Sequence, residues 1–226
     1  MRGNCHLTSL KLIISTNNLL QAIQWAGIEC EADIISMSFG VSRDPRIEQA
    51  IMEVQTHRRR NVIFFASAGN SGAHEDVAFP ACCEGVISVR AADNLGSAAR
   101  TNPGPGSNEA YSFATFGDSI PERLRKHKPE VCNPGSSIST AVAAGMAAMM
   151  LSYTSLLPRI FPGQIDESRI RKLWTARGME SLFFTLSGDV VVGNRVRFVN
   201  PVRFFTDKPR NIDRLWAIGD CINKIK

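Results

Sequence analysis

Several common functional signatures are absent from this 226-residue sequence, and each absence narrows what the protein does. There are six cysteines (Cys5, Cys30, Cys82, Cys83, Cys132 and Cys221), and none are spaced as CxxC. Thioredoxin-type redox chemistry and a cysteine metal site are therefore not expected, and the scatter is unlike a dense disulfide framework. Neither GxGxxG nor GxxxxGK[ST] occurs, which argues against a nucleotide cofactor; the turn-rich "NPGPGSN" has neither spacing. No cofactor and no metal are expected. The longest apolar run, Ala141 to Leu151, is far below the roughly 18 residues a membrane span needs. The start, "MRGNCHLTSLKLIIS", has no small-residue cleavage pattern, so no signal peptide is read and an intracellular location is favoured.

What is present is ordinary for a folded chain. The apolar fraction is 44% and the formal charge is +5. The positive charge gathers in "HRRR" (His57 to Arg60) and "RLRKHK" (Arg123 to Lys128), without interleaved aromatic residues. Nucleic-acid binding is not expected from such clusters. The first fits the end of a helix, where cations face the negative end of the dipole.

The hydrophobic pattern alternates. "SLKLIIS" (Ser9 to Ser15) reads as a strand, and "NNLLQAIQWAGIE" puts Leu19, Ile23 and Ala26 on one helical face. "ADIISMSFG" is a short buried strand. Pro45 opens a helix with Ile47, Ala50, Ile51 and Val54 as its buried stripe. "NVIFFASAGN" and "GVISVRAAD" are further buried strands. This order predicts an α/β fold: a doubly wound, mostly parallel sheet with helices on both faces and ligand sites at the carboxyl ends of the strands. Ala141 to Leu151 is apolar on every side and predicts a helix buried all round. After Pro158 come an amphipathic stretch, Glu167 to Ala176, and then "DVVVGNRVRFVNPVRFF", read as short strands around a turn at Gly193-Asn194. One domain over 1–226 is expected, with 154–226 an extension packing on the rest.

The stretch "PGSSISTAVAAGMAAMML" places hydroxyl residues at the mouth of that helix. One reading is an N-cap. The other is a nucleophile held where first-turn N–H groups and the dipole favour negative charge.

"GSSISTAVAAG" (Gly135 to Gly145) resembles the nucleophile motif of the subtilisin-like serine proteases. Ser137 matches the nucleophile, Ser136 the usual threonine before it, Ser139 the small residue after it, and Gly145 the helix glycine. Ala141 stands where the family usually has proline. "FFASAGN" resembles the strand that ends in the oxyanion-hole asparagine, here Asn70. "ADIISMSFG" resembles the substrate-binding strand, and "FPACCEGVISVRAAD" and "YSFATFGD" are similar to two further stretches. The resemblance runs in family order from about Leu10 to about Tyr153 (10–153). It implies catalytic roles for Ser137 and Asn70. It also implies peptide binding along Ser38, Phe39 and Gly40 and along Ser67, Ala68 and Gly69, with a polypeptide as substrate.

The family's Asp-(Ser/Thr)-Gly and His-Gly-Thr contexts do not occur, and none of His6, His57, His74 and His127 fits the base. The expectation is a subtilisin-like chain with its N-terminal strands missing, completed by a missing N-terminal segment or a complementary chain. Two readings stand: a serine endopeptidase acting through Ser137, and a non-catalytic relative that binds extended peptides or a partner chain.

Overall fold

Residues 15–59, 61–104, 112–118, 134–188, 191–192 and 196–225 are described by the structure, a computed structural model. Residues 9–14 of the expected first strand, residues 105–108 of "NPGPGSN", the "RLRKHK" cluster and the Gly193-Asn194 turn lie outside that set. Ser15 is inside it, and its hydroxyl caps the first helix by accepting from the Asn18 amide.

That helix, α1 (Thr16–Gln24), buries Leu19 and Ile23 as expected. Ala26 is half-buried and packs against the same core, as expected, but the α-helical period ends before it. The chain widens into one π-helical turn, Trp25–Glu29, and Gly27 takes the buried place. Only glycine fits at that place: a Cβ at Gly27 would overlap Val54 of the neighbouring helix. That neighbour, α2 (Pro45–His57), starts at Pro45 behind an Asp44 cap and buries Ile47, Ala50, Ile51 and Val54. Arg58 at its end donates to the Gly27 and Ala32 carbonyls and pairs with Asp33 at 3.1 Å. This arginine thereby ties the π turn to the start of the next strand.

The strands are β1 (Ile34–Met37), β2 (Ile63–Ser67), β3 (Val86–Ala92) and β4 (Ser112–Phe116), followed later by β5 (Val191–Val192) and β6 (Val196–Phe198). The sheet order is β1-β2-β3-β4-β6-β5. All neighbours are parallel except the β5–β6 pair. Period-two alternation divides the buried residues between two faces. Ile35, Met37, Phe64, Ala66 and Val86 pack against α1 and α2. Ile63, Phe65, Ile87, Val89 and Phe113 pack against the long helix and the C-terminal helices. The mostly parallel sheet covered on both faces is the α/β layering predicted from the sequence.

The long helix, α3 (Ser136–Ile160), is larger than the apolar run that announced it. It is not buried all round. Ala143, Ala147, Met150, Leu151, Thr154 and Leu157 face the sheet, whereas Ala141, Gly145 and Met149 lie on an exposed stripe, Met149 at 45%. Small side chains made the outer face look like core without requiring burial. By length and composition alone α3 could cross a membrane, but here its inner face holds the core of the sheet.

Beyond α3, the amphipathic stretch Glu167 to Ala176 is helical in pieces. It forms α4 (Glu167–Arg171), a 3-10 turn (Lys172–Trp174) and a break at Thr175, whose hydroxyl caps α5 (Ala176–Ser187). "PVRFF" is helical rather than extended: Asn200 caps and Pro201 opens α6 (Pro201–Asp207), followed by α7 (Asn211–Asn223). Phe183 of α5 stacks on Phe65 at 5.5 Å and meets Phe113 edge-on at 5.6 Å. These contacts join the residues after 153 to the same core as the strands.

Candidate active site

β1 and β2 are parallel neighbours, so their carboxyl ends emerge side by side, and α3 begins against both. Gly135 is the N-cap of α3 and supplies no side-chain cap bond. Ser136 and Ser137 are therefore the first two helical residues, and neither caps the helix. The Gly135 N–H donates to Gly117 O at 2.8 Å, anchoring the helix entry to the segment that follows β4. Ser139 Oγ donates to Thr115 O at 3.1 Å, a second tie to β4.

Asn70 follows β2. Its Oδ1 accepts from the Ser136 N–H at 2.8 Å and lies 3.0 Å from Ser136 Oγ. Because the Ser136 N–H holds the amide oxygen, Nδ2 is left as the donor end of the group. The carboxamide lies flat on Gly135: a Cβ there would stand 2.9 Å from Nδ2 and 3.0 Å from Oδ1. Glycine is thus required by a close approach, not by a turn. Outside glycine, positive φ among the described residues occurs at Glu31 and Arg59, so Asn70 is not a left-handed turn residue.

Ser136 is the member whose importance the motif alone did not convey. It has 0% exposure. Its hydroxyl lies 2.6 Å from Ser67 Oγ, donates to Gly69 O at 2.9 Å and accepts from the Gly69 N–H at 3.3 Å. One buried hydroxyl thereby fixes the end of β2, and Asn70 with it. Ser67 and Ala68 are buried, and Gly69 has φ of 110°.

Ser137 is half-buried and faces β1. Its Oγ donates to Ser38 O at 3.1 Å, and Ser38 Oγ donates back to Ser137 O at 2.9 Å. Phe39 and Gly40 continue from Ser38. Segment 77–79 closes the far side: Ala78 N donates to Ala68 O, and Val41 N donates to Phe79 O. The Ala78 methyl is 3.2 Å from a Cβ built on Gly40 and 3.3 Å from one on Gly69. The residues expected to bind substrate, at the ends of β1 and β2, thus lie side by side with the Ala78 methyl against both Gly40 and Gly69. Gly145, matched as a packing glycine, is exposed, and a Cβ there would meet nothing within 4 Å.

His57 and His74 are exposed, and the described hydrogen bonds of Ser137 go to Ser38. His6 and His127 lie outside the described residues. No group of three His, Cys, Asp or Glu residues suited to a metal occurs among the described residues. Burial pushes the Cys83 thiol up to about 12, with the neighbouring Cys82 and Glu48 adding to the shift.

The sequence model of the subtilase family matches residues 9–161, which include every residue of this site. The chain belongs to the subtilase family. It is thereby placed among the serine-protease hydrolases. Of the curated relatives of this subtilase, the subtilisin-like protease het-Q2 of Podospora anserina is 32% identical over 141 residues, or 58% of the chain and 37% of that protein. The minor extracellular protease Epr of Bacillus subtilis is 28% identical over 54% of the chain and 15% of its own length. The chain thus spans well under half of the curated relatives it matches. Among solved structures, the prenylagaramide maturation protease PagA aligns with a TM-score of 0.60 at 20% identity, over 87% of this chain and 69% of that one. The PatG macrocyclase in complex with peptide gives 0.58 at 23% identity, over 86% and 57%. At these identities the structural likeness supports the fold alone.

Proposed function

We propose that this subtilase chain carries the nucleophile and the oxyanion donors of a serine endopeptidase, with hydrolysis through an acyl-enzyme on Ser137. The observation that carries this reading is the bond from the Ser136 N–H to Asn70 Oδ1, between residues 66 apart in sequence. It sets the donor end of Asn70 beside the first turn of α3, where the Ser137 N–H is one of the amides without an intrahelical partner. Two donors at that point suit the oxygen that becomes negative as Ser137 Oγ attacks a peptide carbonyl. The tetrahedral adduct then collapses, the leaving amine takes a proton, and water releases the acyl group. In this reading the polypeptide runs along residues 38–40 and 67–69 at the ends of β1 and β2.

Attack requires a base to take the Ser137 proton, and the Ser38 carbonyl that holds it here cannot serve. The base is to come from residues outside the described set, from an N-terminal segment or from a complementary chain. The isolated 226-residue chain is therefore expected to have little or no peptidase activity. In subtilisin, a member of this family, loss of the triad serine or histidine costs on the order of 10⁶ in kcat and leaves about 10³–10⁴ over water; that scale is subtilisin's own.

The test is a broad chromogenic peptide panel on the purified chain and on Ser137→Ala, followed by mass-spectrometric mapping of a fluorophosphonate probe. Slow labelling confined to Ser137 fits the proposal. Robust turnover that Ser137→Ala does not abolish overturns it. Tight peptide binding that is unchanged in Ser137→Ala, with no labelling, favours the non-catalytic peptide-binding reading instead.

A further inference from the structure

We propose that Ser38, matched in sequence to a substrate-binding strand, is a positioning residue for the nucleophile. The inference rests on the peptidase reading of Ser137. The observation is the reciprocal pair already described: Ser38 Oγ donates to Ser137 O, and Ser137 Oγ donates to Ser38 O. The two residues stand 99 apart in sequence. Together they close a ring that joins the carboxyl end of β1 to the first turn of α3.

The ring fixes two things. The bond from Ser38 Oγ holds the backbone of Ser137, and so the point from which its side chain projects. The bond from Ser137 Oγ selects one χ1 rotamer of a residue that otherwise has three staggered choices. Both bonds are near solvent, since Ser38 is exposed and Ser137 half-buried. Water competes with them, so their net contribution to stability is small. Their effect is on geometry: misplacing a reacting atom by about 1 Å costs on the order of 10² in rate. The same ring also defines a resting state, in which the serine proton is held by a backbone carbonyl until a base replaces it. Ser136 plays the complementary part on the other side, holding Asn70, so the two oxyanion donors and the nucleophile are fixed by the two residues flanking the β1 and β2 ends.

The experiment uses the full chain with three variants: Ser38→Ala, Ser38→Thr and Ser137→Ala. The first readout is the set of three-bond NMR couplings that report the Ser137 χ1 rotamer. The second is the rate constant for fluorophosphonate labelling across pH. The parent is expected to show one Ser137 rotamer. Ser38→Ala keeps the Ser38 carbonyl that accepts from Ser137 Oγ but releases the Ser137 backbone from β1. With the ring opened, the remaining bond is expected to loosen, the Ser137 rotamers to average and labelling to slow about ten-fold at every pH, because no titrating group is lost, while the melting temperature stays close to the parent's. Ser38→Thr keeps the hydroxyl and is expected to restore both readouts. A Ser38→Ala chain with the parental rotamer and labelling rate overturns the assignment, as does a parent whose Ser137 rotamer is already averaged. If the parent is not labelled above Ser137→Ala, the peptidase reading fails while the couplings still decide the role of Ser38. Should Ser38→Ala not fold, Ser38→Cys keeps the side-chain shape with a weaker donor and gives the same comparison.

Discussion

Replacing Ser136 with alanine deletes one oxygen from a position with 0% exposure and removes partners from several groups at once. Ser67 Oγ loses its contact at 2.6 Å, Gly69 O its donor at 2.9 Å, and the Gly69 N–H its acceptor at 3.3 Å. Ser67 is buried, so its hydroxyl has no water to turn to, and a buried polar group without a partner costs about 1–3 kcal/mol. Gly69 is only partly buried, and water offsets part of its loss. The sum expected is about 2–3 kcal/mol. For a chain of this size each kcal/mol lowers the melting temperature by roughly 2–4 °C, so Ser136→Ala should melt about 5–10 °C below the parent. Circular-dichroism melts, with urea titration as a second probe, measure this. The double variant Ser67→Ala/Ser136→Ala removes both hydroxyls together and should be no less stable than Ser136→Ala alone, because the stranded Ser67 group is gone. Asn70 Oδ1 keeps the Ser136 N–H, so labelling of Ser137 should fall only a few-fold. A Ser136→Ala chain that melts within about 1 °C of the parent, or strict additivity in the double variant, would refute the claim that this hydroxyl organises the β2 end.

Further outcomes follow from the packing and from one buried thiol. Phe183→Ala empties a position with 1% exposure between Phe65 and Phe113 and should cost about 3–5 kcal/mol; if residues 154–226 share one cooperative unit with the sheet, the denaturation curve should remain a single transition. Cys83, raised to about 12 by burial, binds its proton more tightly folded than unfolded, so stability should fall as pH rises from about 9 towards 12. The slope from one such group is at most about 1.4 kcal/mol per pH unit, and Cys83→Ala should remove that part of it in urea titrations at successive pH values. At pH 8, iodoacetamide should modify the exposed Cys30 and Cys82 and spare the buried Cys83 and Cys221, as mapped by mass spectrometry. An early reaction at Cys83 would contradict the burial of that side chain.

The division between what the sequence disclosed and what it did not follows from where each constraint resides. Strands and helices with a strong period were legible: α2 begins at Pro45, and its buried stripe is the one the spacing predicted. Elements decided by contacts were not. The buried place of Gly27 depends on its close approach to Val54 of another helix, and the break at Thr175 depends on a cap competing with the helical period. The exposed side of α3 was hidden because alanine and glycine suit a core or a surface equally well, so composition over 141–151 could not orient the helix.

At the proposed site, the candidate residue types could be named from sequence because the proposed chemistry restricts them. An oxyanion donor after β2 calls for a side-chain amide, and close approach of that amide to Gly135 excludes a Cβ. The partners of these residues were not readable, because most of them are backbone atoms. Ser137 Oγ donates to a carbonyl, Ser38 Oγ to another, and Asn70 is held by an N–H. Any residue supplies those atoms, so no pattern of side chains marks them; only the parallel register of β1 on β2, Met37 opposite Ala66, brings the strand ends level with the first turn of α3. The placement of the Ser137 hydroxyl is thus a property of the sheet register. A substitution that shifts β1 by one residue should therefore disable Ser137 as thoroughly as its own removal, while leaving every residue of the motif in place.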